Sequence, residues 1–315
     1  MSKGPTARSP ARFCRKVGSV LAPSPPPART GRGLAVAQVL LAATLWAVNG
    51  VVARRLFSRA IEPRDLVAVR LLLGGLALLP LAALRASLRL PLRRLPLVMS
   101  YAVALTLVQF NYFEAIAVAG VAVAIFLQYT APLLVAAFEA ARARRLPPRP
   151  LRAALLIAVA GSALLVLPGG PSRVPLAGLL FGLAAAVSFA TATVLAGALR
   201  RQGVSALPLL AWGLTLGALA FWPARSPLSA LAAVRGPDWP YFLYVALLAT
   251  ALPFTLYASA LATLPGSVAL LLAMLEPVLA AALAWVALGE ALAPVQLLGG
   301  LLILAAIALA ARSRG

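Results

Sequence analysis

Residues Pro265 to Trp285 read PGSVALLLAMLEPVLAAALAW, and a matching pattern stands 145 positions earlier as GVAVAIFLQYTAPLLVAAFEA, Gly120 to Ala140. Pro277 falls on Pro132, Ala269 on Ala124 and, upstream, Tyr257 on Tyr112. An offset of 143 lays Trp46 on Phe189 and Val51 on Val194. The chain therefore reads as one unit written twice. The alternative is a chance match between two stretches dominated by Ala and Leu.

Working outward, the whole chain shares this apolar character. It has 315 residues, 63% hydrophobic and 11% charged, with a mean hydropathy of +0.97, against an apolar content of roughly 45–50% in soluble domains. That composition is an integral membrane protein's. A bilayer core takes about 20 apolar residues as helix, and ten runs meet or approach that length. They are Leu34 to Ala53, Leu66 to Leu84, Leu97 to Ala117, Val121 to Ala141, Leu151 to Leu167, Leu176 to Leu199, Ala206 to Ala224, Tyr241 to Thr263, Ser267 to Leu288 and Val295 to Ala311. The fifth is short. The third and fourth are separated only by Val118, Ala119 and Gly120, so one hairpin with unequal arms is equally open. The expected fold is an all-α membrane protein of ten transmembrane helices in two five-helix repeats, residues 34–168 and 175–311. Ahead of them, residues 1–33 are basic and rich in proline, a composition that stays disordered in the cytosol.

Positive charge orients the spans. With the N-terminus inside, the cytoplasmic side collects seven Lys and Arg in the tail, four in Arg85 to Arg94, five in Arg142 to Arg152, and Arg200, Arg201, Arg312 and Arg314. The opposite side holds Arg54, Arg55, Arg59, Arg64, Arg173, Arg225 and Arg235. Both termini are expected in the cytosol, with the protein multi-pass in the plasma membrane. Five spans per unit is an odd number, so the second copy must enter the membrane inverted. The loop charges agree: RARRLPPRPLR follows the fourth run, whereas GEALAP, carrying Glu290, follows the ninth. Inverted repeats are the architecture of alternating-access carriers, whose substrate site lies near the midplane.

The net charge of +21 would suggest nucleic acid in a soluble chain; here the basic residues flank apolar segments, and no nucleic-acid partner is expected. Cys14 is the one cysteine and histidine is absent, so neither a disulfide framework, a metal site nor a cofactor is expected. No GxxxxGK[ST] loop occurs, which leaves coupling to a gradient rather than to ATP.

Three ionisable residues lie within spans: Arg70, Glu114 and Glu276. Charges at that depth need a partner or a wet cavity. Arg70 and Glu114 each sit about one turn inside the same membrane face, which allows them to pair as an outer gate; the other reading has Arg70 reach up to the headgroups. Glu276 precedes Pro277, and a proline inside a helix removes a hydrogen bond and kinks it. Pro277 frees the carbonyl of Ala273, and Pro132 that of Gln128. Glu276 beside that kink is suited either to bind an amine or exchange a proton, or to accept a structural hydrogen bond. Trp46 and Asn49 share a helical face, as do Asn111 and Glu114, and Gln109 and Tyr112. With Gln128, Tyr129 and Thr130 around Pro132, and Tyr257 in the second half beside the sparser Ser188 and Thr191, these residues are the candidate cavity lining. Helix-to-helix hydrogen bonding is the plainer role for any one of them.

LLAATLWAVNGVVARRL opening the first half, an arginine early in the second span, and LEPVLAAALAWVALGEALAPVQLLGGLLILAAI closing the second half resemble an EamA-type member of the drug/metabolite transporter superfamily. The resemblance covers about Leu34 to Ala311. It implies secondary transport of a small organic solute such as an amino acid, amine or drug-like molecule, often outward, with the bilayer as partner and protons as a candidate coupling ion. No motif reports the substrate. The chain departs from a symmetric pattern: Arg145 stands opposite Glu290 and Ala131 opposite Glu276, so the acidic marks lie in the second half alone. A small-residue stretch in the last run leaves a homodimer open beside packing within one chain. A non-transporting scaffold or receptor, or an enzyme embedded in the membrane, are the alternatives; the seven acidic residues are scattered over different segments, an arrangement poor for catalysis.

Overall fold

In lipid the backbone must satisfy its own hydrogen bonds, which leaves helices and closed barrels as spanning structures. The computed structural model describes residues 29–86, 88, 92–166, 174–288 and 292–312, and among them every regular element is helical. Most of the tail, Glu290 and the end of the fifth run lie outside the described residues.

The first half comprises α1 (Arg29–Phe57), α2 (Pro63–Arg85), α3 (Leu95–Gln128), α4 (Ala131–Ala143) and α5 (Arg149–Val166). The second comprises α6 (Leu176–Arg201), α7 (Ala206–Phe221), the short α8 (Pro227–Ala232) and α9 (Trp239–Leu243), a π-helical segment (Tyr244–Ala251), α10 (Leu252–Ala260), α11 (Gly266–Ala273), α12 (Leu275–Leu288) and α13 (Pro294–Arg312). α1 begins at Arg29, ahead of the expected Leu34.

Among the described residues, eight helical stretches are long and apolar enough to cross a membrane, rather than the ten expected. The difference has two causes. The third and fourth runs form one stretch, Leu95–Ala143, in which the chain turns at Gly120 with φ 84° and ψ 164°, a conformation essentially confined to glycine. Each arm resumes helical geometry at once, so two helices meet end to end across the break at Gly120. The seventh run is α7, 16 residues long, short of the about 20 that a bilayer core takes.

Helices pair across the halves. α6 lies along α3, α2 along α7, α5 along α13, and α1 against α10, α11 and α12. Without a hydrophobic drive between helices in lipid, small residues decide where they approach. A Cβ at Gly178 would meet the Ala119 Cβ at 2.5 Å and one at Gly182 the Leu127 side chain at 2.4 Å, so α6 straddles the Gly120 turn. At the α5–α13 crossing the contact is with backbone itself: a Cβ at Gly299 would stand 2.5 Å from the Leu165 nitrogen and 2.6 Å from the Gly161 carbonyl oxygen. That glycine of the last run therefore packs within the chain.

Two side chains report direction. Gln296, at the start of α13, donates through Nε2 to the carbonyl of Leu165 at the end of α5, 3.1 Å. Arg225, just past α7, pairs with Asp65 at the start of α2. Both helix pairs are thus antiparallel. Arg59, beyond α1, pairs with Asp238 before α9, so one face of the bundle carries a belt of ion pairs. Leu41, Leu76, Leu107, Val187, Leu219 and Leu301 point outward around the sides, where lipid replaces water.

Gly299→Ala should destabilise the protein by about 1–3 kcal/mol, the usual cost of overpacking. Gly300→Ala, whose new Cβ would meet nothing closer than Val278 Cγ1 at 3.9 Å, should stay within about 0.5 kcal/mol. Thermal unfolding of the two purified variants separates them; equal midpoints would mean that the α5–α13 crossing is looser than described.

Candidate functional site

Pro277 lacks the N–H that would bond the carbonyl of Ala273, and the helix breaks there: α11 ends at Ala273, Met274 is a turn, and α12 starts at Leu275. In the first half α3 ends at Gln128, with Tyr129 and Thr130 as the turn ahead of Pro132. The two breaks meet. Tyr129, 1% exposed, donates from its hydroxyl to the Ala273 carbonyl at 3.0 Å and stands 2.6 Å from Glu276 Oε2. Glu276 is itself 6% exposed. One phenol thus serves both the orphaned carbonyl and the buried carboxyl, and it comes from the other half of the chain.

α11 is gripped at its far end as well. Glu139 on α4 accepts from the backbone N–H of Gly266 at 2.8 Å and from the Ser267 hydroxyl, which caps the helix and opposes its dipole with a negative charge. All eight residues of α11 are buried. The element that carries Glu276's neighbouring carbonyl is therefore held at both ends by first-half side chains.

Arg70 corrects both readings of the sequence. It is 1% exposed, so it does not reach the headgroups. Its Nε donates to Thr250 Oγ1 at 2.8 Å and its Nη2 to the Ala249 carbonyl at 3.2 Å, while the guanidinium lies 4.8 Å over the Phe113 ring, a cation–π contact. Glu114 pairs instead with Arg64, at 3.4 Å. The expected Arg70–Glu114 gate pair does not form because Arg70 is turned into the bundle toward the second half. The Ala249 carbonyl is again one that a proline deprives: Pro253 stands four residues on and offers it no N–H.

Buried polar atoms normally have partners, so those without a protein partner are candidates for contact with a solute. Among the described residues they are Trp46 Nε1, Asn49 Oδ1, Arg70 Nη1, Gln109 Nε2, the Tyr112 hydroxyl, Gln128 Oε1 and Ser162 Oγ. Five of them belong to the expected cavity lining. Trp46 sits in an aromatic cage of Phe189, Phe254 and Tyr257, with centroids 4.9–6.1 Å away. The Tyr112 hydroxyl lies 3.9 Å from where a Cβ on Gly50 would be, so α1 and α3 bring these groups to one depth. Tyr112 and Tyr244 each lie within electrostatic reach of both Arg70 and Glu276.

The remaining expected residues are committed within the chain. Asn111 donates to Ser188 Oγ at 3.3 Å, the Tyr257 and Thr193 hydroxyls share a hydrogen bond at 2.9 Å, and Thr130 donates to the Leu127 carbonyl at 2.7 Å. Sequence reasoning missed Glu139, Thr250, Thr193 and Pro253. Pro253 carried a signal, being a proline in the middle of an apolar run; the other three have none that spacing alone reveals.

A family model described as the EamA-like transporter family matches the chain twice, at residues 33–167 and 176–312. Among curated relatives, the uncharacterized inner membrane transporter YicL of Salmonella typhimurium is 29% identical over 86% of this chain and 93% of its own length. The uncharacterized transporter YwfM of Bacillus subtilis is 30% identical over 85% of this chain and 92% of its own. The threonine/homoserine exporter RhtA of Escherichia coli is 32% identical over 65% of this chain and 67% of its own. A solved crystal structure of a protein 23% identical superposes at a TM-score of 0.72 over 89% of this chain and 96% of that one, which shows the fold alone.

Double-mutant cycles on unfolding check the charge partners. Arg70 with Thr250 should couple by about 0.5–3 kcal/mol and Arg70 with Glu114 by less than about 0.5. Arg64 with Glu114, partly exposed, should give about 0–1 kcal/mol. A strong 70–114 coupling would restore the gate pair.

Proposed function

Since the chain belongs to the EamA-like transporter family, we propose that it is a secondary carrier moving a small zwitterion of the amino-acid class outward, by alternating access, through ten spans arranged as two inverted five-helix repeats. The repeats are residues 34–168 and 175–311, with both termini in the cytosol and the protein in the plasma membrane. Helix direction supports the inversion. α2 and α7 hold equivalent places in the two halves and run antiparallel, as do α5 and α13. The exchange of partners supports it too, with α1 against the broken helices of the second half and α6 against those of the first.

The observation that carries the substrate class is the pair of buried opposite charges that are not paired with each other. Arg70 keeps an unpartnered Nη1 and contacts only neutral groups, while Glu276 has Tyr129. Between them Tyr112 and Tyr244 feel both charges. A solute bearing a carboxylate for the guanidinium and an ammonium for the carboxylate would satisfy both poles, and Gln109, Gln128, Asn49 and Trp46 would serve its remaining polar groups. Threonine and homoserine, named for the relative RhtA, are of this class. Of these groups Arg70, Glu276, Tyr112, Gln109, Gln128, Asn49 and Trp46 are buried and Tyr244 is half-buried. Glu276 is also the group placed to carry a coupling proton.

Counterflow in proteoliposomes with labelled threonine, homoserine and a panel of amino acids, amines and sugars tests the reading. Arg70→Met and Glu276→Gln, each first shown to fold by thermal unfolding, should cut exchange at least about tenfold, since truncating one member of a buried charge contact costs about 2–5 kcal/mol. The amide of the same amino acid, which lacks the carboxylate, should be a poor substrate that is indifferent to Arg70→Met. Equal loss for acid and amide would remove Arg70 as the carboxylate pole, and no exchange with any of the panel would leave a scaffold or receptor.

A further inference from the structure

A hydroxyl has one hydrogen, and Tyr129 faces two acceptors. The Ala273 carbonyl at 3.0 Å has no backbone donor, because Pro277 took it away, and Glu276 Oε2 stands at 2.6 Å. The count closes in one protonation state only. With Glu276 ionised, the single hydrogen is drawn to the carboxylate, where a charge-assisted bond is about twice as strong, and the Ala273 carbonyl is left buried without a donor. With Glu276 protonated, the carboxyl O–H donates to the Tyr129 oxygen and the phenol hydrogen turns to Ala273, so that all three groups are satisfied.

We propose that Tyr129 is the positioning residue that transmits proton occupancy of Glu276 to the α11–α12 break, locking the break when the proton is bound and releasing it when the proton leaves. The inference rests on the carrier reading and adds its coupling element. The balance is simple: a proton arrives from water on one face, resides on Glu276 Oε2, and departs to water on the other face, with Tyr129 keeping its own hydrogen throughout. A released carbonyl in a dry interior is costly, which makes the ionised state the one that favours rearrangement of α11. The grip of Glu139 at the opposite end of α11 confines that movement to the Glu276 end.

The ionisable groups facing Glu276 are few. They are Tyr129 itself, Tyr112 from α3, Tyr244 from the π-helical segment and, through these tyrosines, Arg70 from α2. On the other helices packed against α11 and α12, no ionisable residue occurs in 33–53, 153–166, 176–199 or 294–311. Glu139 on α4 sits at the remote end of α11. The pH response of the break is therefore Glu276's own.

Amide hydrogen exchange of purified protein in nanodiscs, followed over pH and corrected for the intrinsic rate, tests this on the peptide covering residues 270–279. The native chain should gain about tenfold in exchange as pH rises, the worth of one buried hydrogen bond. Glu276→Gln carries an amide that donates to Tyr129 as the protonated acid does, and should stay protected at every pH. Tyr129→Phe keeps the ring, loses the hydroxyl, and should exchange fast at every pH. Persistence of the native pH response in either variant overturns the proposal, as does a flat native profile. Counterflow run alongside keeps the two readings apart: a pH-dependent break in a protein that moves no solute sinks the carrier and leaves the switch, and transport with a flat exchange profile does the reverse.

Discussion

A proline within a membrane helix strips one carbonyl of its donor, and the surrounding lipid has none to lend. The architecture of this chain follows from how that deficit is met. At Ala249 the donor is the guanidinium of Arg70, and at Ala273 it is the hydroxyl of Tyr129. Both of these donors come from the first half and both of these carbonyls lie in the second. The polar residues are thus drawn to the places where the helices are broken, and the same bonds that repair the backbone hold the two halves together at depth. Irregular backbone at the membrane's middle is tolerated only where protein or a cavity surrounds it, which is why the breaks coincide with the cluster of unpartnered side-chain atoms.

The two copies of the unit have divided the labour. The first half supplies the donors, Arg70 and Tyr129, and most of the unpartnered amides. The second half supplies the broken helices that receive them. Glu139 and Glu276 grip and flank opposite ends of α11, and neither has an acidic counterpart at the matching position of the other copy, since Ala284 and Ala131 stand there. A symmetric exchange between two carboxylates is therefore absent from this chain.

Much of this was legible in the sequence. The offset of 145 residues placed Pro132 and Pro277 at equivalent breaks, and the structure breaks both helices there. Gly120 was marked as a boundary and proved to be the turn, although helix resumes at once on either side. Polarity at depth marks the candidate cavity residues, and Trp46, Asn49, Gln109, Tyr112 and Gln128 carry buried polar atoms without a protein partner. What failed was partner choice. Residue position along an apolar run gives depth, and depth made Arg70 and Glu114 neighbours; the azimuth of each side chain is set by packing, which turned Arg70 inward over Phe113 and left Glu114 to Arg64. Glu139 was invisible for the same reason, because its role depends on where the N-terminus of α11 is carried by a distant part of the chain.

Keeping Arg70 and Glu276 apart has a consequence for any carrier built on them. A direct ion pair in so dry a place would satisfy both charges, and a solute would have to break it, at the several kcal/mol that an uncompensated buried charge costs. Here the guanidinium rests on a hydroxyl, a carbonyl and an aromatic face, and the carboxyl rests on a phenol. Those neutral contacts are individually modest, and two of the groups have an alternative: Thr250 already donates to the Val245 carbonyl, and Tyr129 has Ala273. On the proposed reading, a zwitterion between the poles would exchange weak neutral contacts for charged ones, at the cost of the Ala249 carbonyl's donor where Nη2 is drawn away.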